Sequence, residues 1–432
     1  MSADESGLRR RLGALGDEIE AQWCSENYAE EKFPELAANA LRRADLPSTL
    51  RLGDLLRWSL ETSRLPVQRD IESRFGDPAL TLFAGPRFNI DVYVWFTGTT
   101  ALHQHGFAGA FQVLQGSSIH ADYAFTPARD VSPYFRFGHL SLRGCELLEK
   151  GAIEEILPGN AYIHRLFHLD HPSASLVVRT ASSPGHQPQF SYLSPCIAID
   201  PFFEEATTTK RLQCLQALYR SLDPGSDEAT VEWLARADIH TAFQILSMVR
   251  LLLGRSEVER VFGVGSDDGR FRRLIDVARA RHGDAVARFE EVFTEQERHD
   301  QLVSLRGSIT DPEHRFFLAL LLNVDDRDAI LALVRQRFPD ADPREKVLEW
   351  SGALARTRVM GAALPNALGI AGFDDFDLMI LEQLLADATD AEVLATLAPG
   401  DVTADASRQL KARLTKLRTT PVLRPLLNAT AT

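Results

Sequence analysis

The chain has 432 residues, of which 45% are hydrophobic and 25% charged, and its formal net charge is −13. This length exceeds what one typical hydrophobic core supports, so we predict two or three domains. The acidic balance disfavours nucleic acid and anionic membranes as partners. No apolar run reaches membrane-spanning length and the N-terminus lacks the apolar centre of a signal peptide, so we expect a cytoplasmic location.

The spacing of hydrophobic residues divides the chain into three parts. Helical spacing runs through residues 1–82, as in Leu12, Leu15 and Ile19. Short apolar segments separated by Gly, Pro and Asp follow in residues 83–200, a pattern typical of a β-sandwich or barrel. Helical spacing returns in residues 201–432. The predicted fold class is therefore α+β, with a central β-barrel between an N-terminal helical region and a large all-helical C-terminal domain.

Two histidines near the start of the predicted barrel stand two residues apart. A β-branched apolar run leads into His103 and His105, so both side chains project from one face of a strand. A third histidine, His164, follows a turn at Pro158-Gly159. Neutral imidazole nitrogens suit Fe, Zn, Cu and Ni, so three converging histidines predict a metal site. The alternative is three polar residues that line the mouth of a β-barrel.

The order of these motifs resembles the two-motif layout of the cupin superfamily, whose barrel is a double-stranded β-helix. Over residues 86–180 the chain is similar to the cysteine dioxygenase-type cupins, which are three-histidine thiol dioxygenases. The similar segments are Phe88-Asn-Ile, Trp95, Leu102-His-Gln-His, Val113-Leu-Gln-Gly116, Ile163-His164-Arg165 and Ser175-Leu176.

This resemblance implies a mononuclear non-haem iron centre. His103, His105 and His164 would bind Fe²⁺, with Zn²⁺ or Ni²⁺ as alternatives. The implied activity is the dioxygen-dependent oxidation of a small molecule, and a thiol is the first candidate substrate. The chain would then be an oxidoreductase of the dioxygenase type, with neither nucleic acid nor membrane as its partner.

The sequence departs from the family pattern at two places. The Glu of the first cupin motif is absent, since Gly109 and Ala110 occupy its places. A metal bound by three neutral histidines keeps its full 2+ charge and favours anionic ligands such as a thiolate. In the family's Ser-His-Tyr relay, Ser175 is kept, but Val177 and Arg179 replace the His and the Tyr. A second hypothesis is therefore a non-catalytic cupin that binds a metal or ligand and whose helical domain contacts a partner protein.

Four further residues are candidates for roles around the predicted metal. His168 and His171 are expected to orient the ligands through hydrogen bonds, or to supply a fourth ligand. Tyr162 is expected to face the cavity, with packing in the wall as the alternative. The resemblance implies that Ser175 points inward, and Arg179 shares its strand face, so we expect the guanidinium to point inward and pair with a substrate carboxylate. The alternative for Arg179 is a surface salt bridge near the barrel rim.

Overall fold

A computed structural model describes most of the chain. The described residues are 3–69, 71, 75–96, 98, 100–253, 268–359, 366–397 and 404–427. Helices precede and follow a β-rich region, so the α+β fold class predicted from the sequence is confirmed. The chain forms two compact units. Unit 1 comprises Met1–Phe125 and Ser141–Tyr192, and unit 2 comprises Thr126–Leu140 and Leu193–Thr432.

Helices and one strand make up the first 84 residues. The helices are Ala3–Ser25, Phe33–Ala44, Leu46–Thr49 and Leu52–Glu61, with a short 3-10 helix at Glu30–Lys32. Leu12 and Ile19, which are seven residues apart, lie on one face of the first helix and are buried. The first strand begins at Ala79, within the region predicted to be helical, and Ala79 pairs with Tyr93 of the next strand. Pairing with the strand that follows directly in sequence therefore decides the structure of this segment.

The strands form two antiparallel sheets in the described part of the chain. They are β1 (Ala79–Ala84), β2 (Phe88–Trp95), β3 (His103–His105), β4 (Gly109–Gln115), β5 (Ser118–Ser132), β6 (Phe135–Leu148), β7 (Ile153–Ile156), β8 (Gly159–His168), β9 (Ser173–Thr180), β10 (Ser191–Leu193) and β11 (Ile197–Ile199). One sheet has the order β1-β2-β9-β4-β7, and the other closes as β10-β11-β6-β5-β8-β3. The β-barrel predicted from the sequence is therefore present. The long strand β6 continues through Gly144 without a break.

Side chains along β2 and β9 point alternately to the two faces of the five-stranded sheet. Ile90 and Val92 of β2 and Leu176 of β9 are buried in one hydrophobic core with the N-terminal helices. Successive side chains of a strand point to opposite faces. Asp91 and Val177, which pair across the two strands, therefore project to the opposite face of the sheet.

The rest of the described chain is mainly helical and belongs to unit 2. Its helices are Ala206–Arg220, Ser226–Leu234, Ile239–Leu253, Asp268–His282, Ala287–Ser308, Pro312–Asn323, Arg327–Arg337, Pro343–Arg356, Asp375–Leu385, Asp390–Leu397, Ala404–Thr419 and Arg424–Leu427, with 3-10 helices at Gly283–Val286 and Pro421–Leu423. A further 3-10 helix, Pro184–His186, belongs to unit 1. The side chains of Asp311 and Asp342, each followed by a proline, accept hydrogen bonds from backbone N–H groups and cap two of the unit 2 helices at their N-termini. No helix in the described ranges is both long enough and apolar enough to span a membrane.

Candidate metal centre

The three histidines picked out from the sequence lie together inside unit 1. His103 and His105 belong to β3, and His164 belongs to the neighbouring β8, where it pairs directly with His103. A register shift after Gln104 places His105 opposite Gly159, whose φ of +70° suits glycine. One ring nitrogen from each histidine lies within 4.8 Å of the others, and all three residues are buried.

The distances and protonation of these rings suit a metal ion. Nε2 of His105 and Nε2 of His164 are 2.9 Å apart. Two adjacent ligands with metal–nitrogen bonds of about 2.0–2.1 Å would be separated by roughly 3 Å. Burial lowers the pKa of His103, and burial together with neighbouring charges lowers the pKa of His105 and His164 well below the usual value. The rings are therefore neutral near pH 7, which is the form that binds metals.

A backbone contact leaves a lone pair on Nε2 of His103. Nδ1 of His103 donates to the carbonyl oxygen of Ala101 at 2.7 Å, because a carbonyl can only accept. The proton on Nδ1 leaves Nε2 of the neutral ring as an acceptor. Nδ1 of His105 has no hydrogen-bond partner in the described part of the chain, although it is buried. The donor set therefore fits a divalent metal bound by imidazole.

The histidines open onto a pocket with mostly aromatic and aliphatic walls. The space between their side chains is about 410 Å³, including space open to solvent, and about 30 Å³ of it admits the centre of a water-sized group. The lining includes Trp95, Phe107 and Phe111, with the hydroxyl-bearing Ser175 and its strand neighbour Val177. The pocket is thus suited to a small, largely apolar ligand.

Arg179 lies in the interior and is paired with a carboxylate that sequence reasoning missed. Its Nε donates to Oδ2 of Asp91 at 2.9 Å, and the two side chains are 11% and 4% exposed. The guanidinium lies 5.2 Å from the ring centre of Phe107, which in turn packs on His105. The guanidinium of Arg179 points inward, and its ion pair with Asp91 is buried and does not lie at the surface. A carboxylate in the middle of an apolar strand needs a partner, and that signal could have identified Asp91.

His168 and His171 lie apart from the cluster of three nitrogens. Nδ1 of His168 is within hydrogen-bond distance of the hydroxyls of Ser118 and Ser173, at 3.0 and 2.7 Å. Its ring stacks on Trp95, with ring centres 4.7 Å apart. Burial lowers the pKa of His168 to about 3. Since Trp95 lines the pocket, His168 contacts the wall of the site, while His171 is exposed.

Tyr162 contacts a fourth histidine that sequence reasoning did not select as a site residue. The Tyr162 hydroxyl is 2.9 Å from Nε2 of His120 on β5, and Nδ1 of His164 is 3.2 Å from the same nitrogen. Nδ1 of His120 is 2.9 Å from Oε1 of Glu146 on β6. His120 is buried, whereas Glu146 is exposed. The only sequence signal for this contact is the position of His120 in an alternating strand among many histidines.

Comparisons with known proteins give weak structural likenesses. No protein-family model matches the chain, and no curated protein matches its sequence. A hydroquinone 1,2-dioxygenase from a Sphingomonas species is 12% identical, with 25% of this chain and 67% of that chain covered and a TM-score of 0.19. A cupin superfamily protein from Desulfitobacterium hafniense is 15% identical, with 27% and 98% covered and a TM-score of 0.17. An oxalate oxidase is 18% identical, with 36% and 74% covered and a TM-score of 0.20. Likeness at these values transfers no activity to this chain.

Proposed function

We propose that this chain is a mononuclear non-haem iron cupin that oxidises a small molecule with dioxygen, and that a thiol is the first substrate to test. The supporting observation is that three buried, neutral imidazoles converge on one pocket. No carboxylate belongs to this cluster among the described residues. His103, His105 and His164 would hold the metal, as the sequence resemblance implies.

The donor set favours an anionic substrate atom. Iron, when bound, supplies open positions for a ligand and for dioxygen. Because three neutral imidazoles leave its 2+ charge uncompensated, a thiolate is a favourable ligand there. The walls, among them Trp95 and Phe111, are mainly apolar, and an apolar surrounding strengthens electrostatic interactions inside a site. Ser175 presents a hydroxyl that is able to donate to or accept from the substrate.

The pocket walls indicate which thiol would fit. Asp91 already provides a counter-ion for Arg179, so a substrate carboxylate would have to compete with an internal carboxylate. The rest of the pocket is lined mainly by apolar and aromatic side chains. We therefore infer that a small apolar or aromatic thiol binds better than an amino-acid thiol. The anchoring of an acidic substrate by Arg179 remains an alternative with its own test, given in the Discussion.

A second function is favoured by one specific observation. Val177 lines the pocket at the place where the family relay has its histidine, so no proton-transfer group stands there. A non-catalytic cupin would bind a metal or a ligand in the same pocket, and its helical domain would contact a partner protein. Both proposals need the same three histidines, but only the first requires turnover.

Oxygen consumption separates the two proposals. The full-length, iron-loaded protein would be assayed with an oxygen electrode against benzyl mercaptan, 2-mercaptoethanol and cysteine. We expect consumption that is fastest with the aromatic thiol and absent in His164→Ala. His139→Ala is the matched control, since His139 is exposed, and it should retain the wild-type rate. Stoichiometric iron without oxygen consumption on any thiol would favour the binding protein.

A further inference from the structure

A chain of hydrogen bonds runs from the candidate metal ligand His164 toward the surface of unit 1. Nδ1 of His164 is 3.2 Å from Nε2 of His120, and Nδ1 of His120 is 2.9 Å from Oε1 of Glu146. The side chain of His120 is 3% exposed and that of Glu146 is 52% exposed. The chain thus joins a buried ring nitrogen of the site to a carboxylate in solvent.

The partners determine where each proton lies. The hydrogen bond from His120 lowers the pKa of Glu146, so its ionised carboxylate can only accept, and Nδ1 of His120 carries the proton. In a neutral ring the other nitrogen, Nε2 of His120, must then accept. Nδ1 of His164 therefore donates to it, which leaves a lone pair on Nε2 of His164. That nitrogen is the one 2.9 Å from His105.

A second donor supports this assignment. The Tyr162 hydroxyl is 2.9 Å from the same Nε2 of His120. A phenol hydroxyl is able to donate to an unprotonated ring nitrogen. With Nδ1 of His120 protonated toward Glu146, the hydroxyl of Tyr162 and Nδ1 of His164 both lie where they can donate to Nε2 of His120.

We propose that Glu146, acting through His120, is a positioning residue that holds His164 in the tautomer with a free Nε2 lone pair, ready to bind the metal. This inference rests on the proposed metal centre and deepens it, because it identifies an exposed residue that controls a buried ligand. Partners in the outer shell of a metal site orient the ligating histidine in the same way, and their loss typically costs roughly 10–100-fold in affinity. Glu146 touches neither the pocket nor the three clustered nitrogens.

The chain offers a matched control for charge. Glu154 is a second carboxylate close to His120, and its ligand atom lies within 4.8 Å of those of His120 and Glu146. The acceptor for Nδ1 of His120 is Glu146. Removing the charge of Glu154 therefore alters the local field but leaves the hydrogen-bond chain intact. Glu146→Gln is the conservative variant, since its amide oxygen still accepts from His120.

The first test uses the metal-free, full-length protein. Histidine ¹⁵N chemical shifts report which ring nitrogen carries the proton. We expect His164 to be protonated on Nδ1 in wild type, Glu146→Gln and Glu154→Gln, and to become a mixture of tautomers in Glu146→Ala. A His164 tautomer that is the same in wild type and Glu146→Ala would overturn the proposal. This readout stands even if the protein binds no metal, so it separates this inference from the proposed function.

The second test measures affinity for Zn²⁺ alone by competition with a chelator. We expect Glu146→Ala to bind about 10–100-fold more weakly than wild type, with Glu146→Gln close to wild type and Glu154→Gln unchanged. Equal weakening in Glu146→Ala and Glu154→Gln would assign the effect to charge and not to the hydrogen bond. Loss of a second Zn²⁺ equivalent in Glu154→Gln would show that the two carboxylates and His120 bind a metal themselves, which also contradicts the proposal. Because Glu146 is exposed, the urea midpoint of Glu146→Ala should match wild type.

Discussion

Removing one member of the buried Asp91–Arg179 pair should destabilise unit 1 strongly. The two side chains are 4% and 11% exposed and their charged atoms are 2.9 Å apart, so a charge left without its partner has little water to solvate it. Breaking such a buried pair costs about 3–5 kcal/mol. A surface pair such as Arg43 with Glu18, whose side chains are 50% and 41% exposed, is a contrasting case. There the expected loss is below about 1 kcal/mol.

Urea denaturation of Asp91→Leu, Arg179→Met and the double variant measures these costs. Since the double variant leaves no unpaired charge and fills the space with apolar side chains, it should be more stable than either single variant. Arg43→Ala is the surface control. Two results would refute the reasoning: single-variant losses under about 1 kcal/mol, or a double-variant loss equal to the sum of the two single losses.

The remaining predictions concern ligand binding, pH and the core of unit 2. If Arg179 anchors an acidic substrate, Arg179→Lys should weaken calorimetric binding of an acidic thiol by about 1.5–3 kcal/mol with the metal retained, because lysine loses the planar fork; pairing of Arg179 with Asp91 alone predicts unchanged affinity. Burial lowers the pKa of His168 to about 3, so the unfolded chain takes up the proton first as pH falls. The free energy of unfolding should therefore decrease between pH 6.5 and 3 by about 1.4 kcal/mol per pH unit, and a slope just as steep in His168→Asn would contradict this. Phe135→Ala removes a ring with 0% exposure from the core of unit 2 and should cost about 3–5 kcal/mol in urea denaturation, whereas a loss under about 1 kcal/mol would place the ring outside that core.

Periodicity in the sequence was sufficient to predict most of the fold. The switch from helical spacing to short apolar segments and back reports local amphipathicity, which a single chain segment carries by itself. It failed where pairing between strands decides the structure. β1 forms because Ala79–Ala84 pairs with β2, and β6 runs past Gly144 as one strand. Neither result follows from the residues of those segments alone.

The candidate site likewise has residues that the sequence identifies and residues that it does not. His103 and His105 were recognisable because their two-residue spacing puts both on one strand face, and His164 because a Pro-Gly turn precedes it. The partners that hold the interior were not recognisable in this way. Asp91 and Arg179 are 88 residues apart, and His120 and His164 are 44 residues apart. Such contacts depend on strand order and register, which hydrophobic patterning does not specify.

The central proposal is a metal centre built from His103, His105 and His164, and metal content tests it most directly. Full-length wild type, His103→Ala/His105→Ala and His282→Ala would be purified identically and analysed by mass spectrometry for first-row metals. We predict about one metal per chain in wild type and in His282→Ala, with Fe²⁺ preferred. The double variant should retain almost none. A double variant with as much metal as wild type would contradict the proposed centre.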